Sequence, residues 1–110
     1  MANEIAAHKK GDTWNGMVVT LKRNTIPVDL TGYTAISRFK TSLNGASVFE
    51  FKTSDNSLTI PNPIDGKIYY IGRKIDYFPN KYLFDLEITS PDGVVKTIAN
   101  GSWTITQDIS

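Results

Sequence analysis

Residues 81–89 read KYLFDLEIT, with Tyr82, Phe84, Leu86 and Ile88 alternating with Leu83, Asp85 and Glu87. An extended strand puts every second side chain on one face, whereas a helix would scatter these over its circumference. The stretch predicts a strand with one face in a core and the other mainly in water. Similar short runs, rich in Val, Ile, Thr, Tyr and Phe, recur with turn residues about every ten positions, the pattern of an all-β chain.

Met17–Lys22 places Met17, Val19 and Leu21 on one face, and Ser47–Lys52 does the same with Phe49 and Phe51. In Tyr33–Lys40, Ile36 falls out of phase, and Ala35 and Phe39 are expected inside. Leu58–Ile60 and Lys67–Ile71 form two strands joined through PNPIDG, and SPDG at 90–93 joins Tyr82–Thr89 to Val94–Ala99. Asn100-Gly101 predicts a further hairpin between Val94–Ala99 and Ser102–Thr106, because a type I′ turn needs positive φ at both central residues. RKIDYF at 73–78, stopped by Pro79, is expected as a single helical turn that drops Ile75 or Phe78 onto the core.

The stretch PVDLTGYTA at 27–35 reads as a corner: Pro27 fixes φ, Asp29 and Thr31 bond local backbone N–H groups, Gly32 takes a conformation closed to other residues, and Tyr33 begins the next strand. At 110 residues the chain is one domain's length, able to bury roughly 65% of its unfolded surface. Residues 1–10 look like a terminal arm with too weak a pattern for a strand. Seven to eight strands in a single domain over 1–110 predict an antiparallel immunoglobulin-like β-sandwich, with a small closed barrel as the alternative. Tyr82, two residues before Phe84 and just after Pro79-Asn80-Lys81, has the placement of the tyrosine corner of such folds.

The chemistry is sparse. Twelve basic and eleven acidic side chains leave a net charge of +1, with no run to hold nucleic acid or an anionic membrane. With no cysteine, disulfides, thiolate nucleophiles and Cys-based metal sites are excluded. The N-terminal MANEIAAHKKG lacks a signal-peptide core, and no 18-residue apolar run occurs, so the expected site of synthesis is a cytosol. His8 is the only histidine and lies in the arm, where a general base would lack preorganisation. Most aspartates sit beside turn residues, where they bond backbone N–H groups. The glycines are scattered singly, so no phosphate loop is indicated. Neither catalytic residues, nor cofactor, nor metal ligands are expected. Parity turns Asp85 away from the core, and Trp14, Tyr69 and Tyr77 are aromatics not assigned to it. With Ile5 and His8 of the arm, these four are the candidate interface residues.

The order of KGDTWNGMVVTL at 10–21, PVDLTGYTAISRFK at 27–40 and PNKYLFDLEITSPDGVVKTIANGSWTIT at 79–106 resembles small immunoglobulin-like β-sandwich proteins of tailed bacteriophages. Among these are the N-terminal domain of baseplate upper proteins and related tail-region proteins. The resemblance runs from about residue 9 to near the end and includes no catalytic motif. It implies a non-enzymatic virion structural protein, made in the host cytoplasm, that acts as an adaptor or assembly subunit of the tail, baseplate or fibre-attachment region. Its partners would be other phage structural proteins and further copies of itself, with no nucleic acid or membrane. The chain departs from the baseplate pattern in showing no stalk or receptor-binding region, which points to an adaptor and away from a fibre. Sheet edges, extended by a strand such as residues 2–9, are the expected contact sites. The alternative is a glycan-binding module for host-surface recognition, using the unassigned aromatics as stacking platforms.

Overall fold

The computed structural model describes residues 2–42 and 44–107; Met1, the first residue of the expected arm, lies outside them. The described chain is mostly β. Its strands are β1 (Ala2–Lys9), β2 (Thr13–Thr20), β3 (Lys22–Arg23), β4 (Ile26–Pro27), β5 (Thr34–Lys40), β6 (Phe49–Lys52), β7 (Leu58–Thr59), β8 (Lys67–Lys74), β9 (Asn80–Thr89) and β10 (Val95–Thr106). Single 3-10 turns at Thr53–Asp55 and Pro63–Asp65 interrupt the connections around β7.

β9 is the strand that the alternation predicts: Tyr82, Phe84, Leu86 and Ile88 are buried, and Leu83, Asp85 and Glu87 are only partly covered. It lies in the middle of a five-stranded sheet of order β1-β10-β9-β5-β6. A three-stranded sheet, β2-β8-β7, packs against it, and β3-β4 forms a separate hairpin. Phe39, Phe49, Phe51, Tyr82 and Trp103 from the larger sheet meet Leu58, Ile68 and Tyr70 from the smaller in one core. Each such side chain removed from water contributes roughly 1.5–3 kcal/mol. The inward assignments of Ala35, Phe39, Phe49 and Phe51 hold.

One buried polar chain ties the sheets together. Tyr70 of β8 donates its hydroxyl to Ser37 Oγ of β5 at 2.8 Å, and Ser37 donates to the main-chain oxygen of Asp85 in β9 at 2.6 Å. Ser37 is fully buried, and these bonds satisfy groups that would otherwise be costly in an apolar core.

Local chemistry explains the turns. Asp29 Oδ1 accepts from the Thr31 N–H at 2.9 Å, and Gly32 adopts φ +79°. The Thr31 hydroxyl bonds no backbone N–H; it donates to Asp29 Oδ1 at 2.6 Å. SPDG closes as expected, with the Gly93 N–H on Ser90 O and the Ser90 N–H on Val94 O, both at 2.9 Å.

Three further expectations fail. The arm is a strand: β1 pairs in parallel with β10, so the five-stranded sheet is not wholly antiparallel. Asn100-Gly101 makes no hairpin, because neither residue takes positive φ and β10 runs straight through them. The tight turn with positive φ at both central residues is instead Asn24-Thr25, at φ 51° and 68°, between β3 and β4. RKIDYF forms no helical turn. Arg73 and Lys74 finish β8, and the irregular segment that follows buries Ile75 completely while leaving Phe78 exposed.

Burial pushes the Tyr70 hydroxyl from its ordinary value of 10.0 up to about 12, with the hydrogen bond to Ser37 working against the rise and the Asp85 charge adding to it. The folded state therefore holds this proton where the unfolded chain releases it. The resulting stability is complete below pH 10 and is lost as pH rises through 10 toward 12. Replacing Tyr70 with Phe should destabilise the fold by about 1–2 kcal/mol at neutral pH. It should also flatten the alkaline fall in stability, both read from denaturant unfolding as a function of pH.

Candidate interaction surface

The six candidate residues occupy different parts of the fold. Ile5 of β1 packs against the core, and the β1–β10 register shifts between Ile5 and His8. His8 is partly buried, with Nε2 2.9 Å from Asp12 O and its ring 6.1 Å from that of Trp103. Tyr77 stacks flat on Phe49, with centroids 3.9 Å apart. Asp85 lies on the outer face of the five-stranded sheet, opposite Arg38 and Asn100, with Oδ1 buried and without a hydrogen-bond partner. Tyr69 alone among the aromatic candidates is exposed, at 37%.

Trp14 is partly buried and packs against the core, for a reason visible in the backbone. β2 and β8 pair without slippage, setting Trp14 opposite Arg73 and Gly16 opposite Ile71. By parity, Trp14 and Arg73 should share the outer face with Val18, Tyr69 and Ile71. Instead, the Trp14 ring lies 4.7 Å from Trp103 and 5.7 Å from Phe51, and the Arg73 guanidinium lies 4.0 Å over the Phe51 ring. The alternation breaks at Gly16, which adopts φ +85°, and at its neighbour Gly72. A Cβ on Gly16 would stand 2.1 Å from Tyr70 O, and one on Gly72 would stand 2.4 Å from Trp14 O. Two glycines let the strands approach closely enough for their ends to turn inward.

The outer faces of the two sheets differ in character. That of the larger sheet is charged: Arg38 pairs with Glu87 at 3.0 Å and with Glu50 at 3.8 Å, and Lys52 with Glu50 at 3.7 Å. That of the smaller sheet carries Val18, Tyr69 and Ile71, exposed by 49%, 37% and 44%. Val18 pairs directly with Tyr69 across the strands, and Ile71 follows two residues along β8. Sequence reasoning missed Val18 and Ile71. Their signal is that MVV and IYYI leave apolar residues on both faces of a strand, where a solvated sheet would alternate.

Among the described residues no group of three or more His, Cys, Asp or Glu could hold a metal ion. The shifted carboxylates serve turns and a surface pair. Hydrogen bonds from Thr31 hold Asp29 below its ordinary value, those from Ser57 lower Asp55, and Lys10 at 2.7 Å lowers Asp76. A surface depression of about 460 Å³ is lined by Ser47, Val48, Phe49, Glu50, Lys52 and Asp55. No family model, curated protein or solved structure matches the chain.

Alanine at Gly16 should destabilise the fold by about 2–4 kcal/mol, since strain at positive φ adds to a clash with main-chain oxygen. Because the clash also forces β2 away from β8, the near-ultraviolet circular dichroism of the Trp14–Trp103 pair should change before the fold melts. A Gly16→Ala variant with unaltered signal and melting temperature would contradict this account of the inward turn.

Proposed function

We propose that the protein is a non-enzymatic structural subunit of a bacteriophage particle, an adaptor of the tail, baseplate or fibre-attachment region working through protein–protein contacts. The observation that carries this reading is the exposed strip of Val18, Tyr69 and Ile71 on the outer face of the three-stranded sheet. Apolar groups gathered on a sheet face gain by being covered, and contiguous exposed patches mark interaction sites. The motif order of the sequence supports the particle context. An immunoglobulin-like sandwich is the finer architecture in this reading, supported by the Tyr82 hydroxyl, which donates to the Phe78 main-chain oxygen four residues upstream at 2.6 Å, as in a tyrosine corner.

A glycan platform finds less support, because stacking on a sugar needs an open aromatic face and the rings of Trp14 and Tyr77 lie against Trp103 and Phe49.

The test is localisation. An epitope-tagged copy should appear at one defined position on particles by immunogold negative-stain microscopy. Triple replacement of Val18, Tyr69 and Ile71 by Ser should leave the fold intact and reduce incorporation at least tenfold. Particles without the protein, or full incorporation of the triple variant, would count against the reading.

A further inference from the structure

The dipeptide Asn-Gly occurs three times, at 15–16, 44–45 and 100–101. In this pair an asparagine side chain is most open to attack by its own main chain, because glycine puts no Cβ in the way of the attacking nitrogen. The three copies stand in different structures, and the difference decides which of them can react.

For attack, the chain must rotate about the Asn Cα–C bond until the glycine nitrogen faces the side-chain carbonyl carbon, a conformation outside that of a strand. Asn100-Gly101 is fixed on both sides: Asn100 pairs with Asp85 and Ala2, and Gly101 with Phe84 and Asn3. Asn15-Gly16 is fixed on one. Trp14 and Gly16 pair with Arg73 and Ile71, and turning Asn15 would lift the Trp14 ring from Trp103 and Phe51. Asn44-Gly45 lies in neither sheet. It sits in the connection between β5 and β6, where the Gly45 N–H closes a turn on Ser42 O at 3.1 Å, and Asn44 is exposed. Opening such a turn loses a bond that water replaces, whereas opening a ladder loses packing with it.

We propose that Asn44 is a site of spontaneous modification, converted through a cyclic imide to aspartate and isoaspartate, while Asn15 and Asn100 are spared. The Gly45 nitrogen loses its proton to a solvent base and bonds to Asn44 Cγ. The Cγ–Nδ2 bond then breaks, and the amide nitrogen takes up a proton and leaves as ammonia. Water opens the imide. Cleavage between the nitrogen and Cγ gives aspartate with the main chain restored; cleavage between the nitrogen and the main-chain carbonyl carbon gives isoaspartate, with the chain running through Cγ. Nothing is oxidised or reduced, and water is the sole co-reactant. Either product carries a new carboxylate, which cancels the formal net charge of +1. The change falls outside the ladders, since the Val48 N–H on Phe39 O at 2.8 Å and the Phe39–Phe49 pair close the sheet beyond it.

Incubation of the full chain at mildly alkaline pH, followed by tryptic mapping, tests the proposal. Cleavage after Lys and Arg puts the three sites on separate peptides, 11–22, 41–52 and 97–110. In the folded protein, peptide 41–52 should gain the mass of an amide-to-acid conversion at least about tenfold faster than the other two, because their ladders must open first. It should separate into two forms, one of them methylated by an isoaspartyl methyltransferase. Near-ultraviolet circular dichroism of the aged protein should be unchanged. In concentrated urea, where the ladders are gone, the three rates should agree within about threefold. Gly45→Ala should slow conversion of Asn44 about tenfold or more. This variant should fold, because the added Cβ meets only Ser42 Oγ closely, at 2.7 Å, the free end of a side chain that can turn away. An Asn44 that stays unreacted in the folded protein, or converts no faster than Asn15 and Asn100, overturns the proposal. So does an order of rates that persists unchanged in urea, which would trace it to the neighbouring residues and not to the fold.

Discussion

The indole of Trp103 is the point on which the packing depends. It is fully buried, and its ring contacts Trp14 of β2, Phe39 of β5, Phe49 of β6 and His8 of β1. Burying an indole requires a partner for its N–H, since an unpaired donor in an apolar interior costs more than its bond returns. That partner is the main-chain oxygen of Ala6 at 3.0 Å. The N-terminal strand is therefore a condition of the core: without Ala6 the largest residue in the core keeps an orphaned donor, and without Ile5 one wall of the core is open. The turn after β1 is fixed with equal care, by the Gly11 N–H on Ile75 O at 2.6 Å and the Ile75 N–H on Asp12 O at 3.1 Å.

This dependence explains what was legible in the sequence. Period-two alternation identified β9 and the inward residues of β5 and β6, because these strands have a wet or charged face to contrast with a dry one. Asp29, Gly32 and the Ser90–Gly93 turn were legible because their chemistry is local. The arm was not, since ANEIAAHK alternates weakly and gains its order from a donor 97 residues away. Asn100-Gly101 failed for a related reason. Asn100 and Gly101 pair with Asp85 and Phe84 on one side and with Ala2 and Asn3 on the other, and two rows of ladder bonds outweigh the preference of two residues for a turn.

The position of Trp14 was hidden for a different reason. Parity places it outside, and only the Gly16–Gly72 approach brings it in. A lone glycine in a strand is an ambiguous mark, signalling a bulge, a bend or a close backbone approach. Here two glycines on different strands act together, a pairing that becomes apparent once the register of β2 against β8 is fixed.

The same local break divides the surface. On one side of Gly16 the side chains of β2 and β8 are drawn into the aromatic core, and Arg73 is turned toward Phe51 and Glu50, where it closes the β6 edge. On the other side Val18, Tyr69 and Ile71 stay outward. A chain that invests an arginine and a serine in sealing one edge, and leaves an uncharged eight-residue strand open on another, differs between its edges in a way that solubility alone does not explain. Packing within the chain accounts for the sealed edge. The open one, with apolar side chains beside it, has no pairing strand among the described residues.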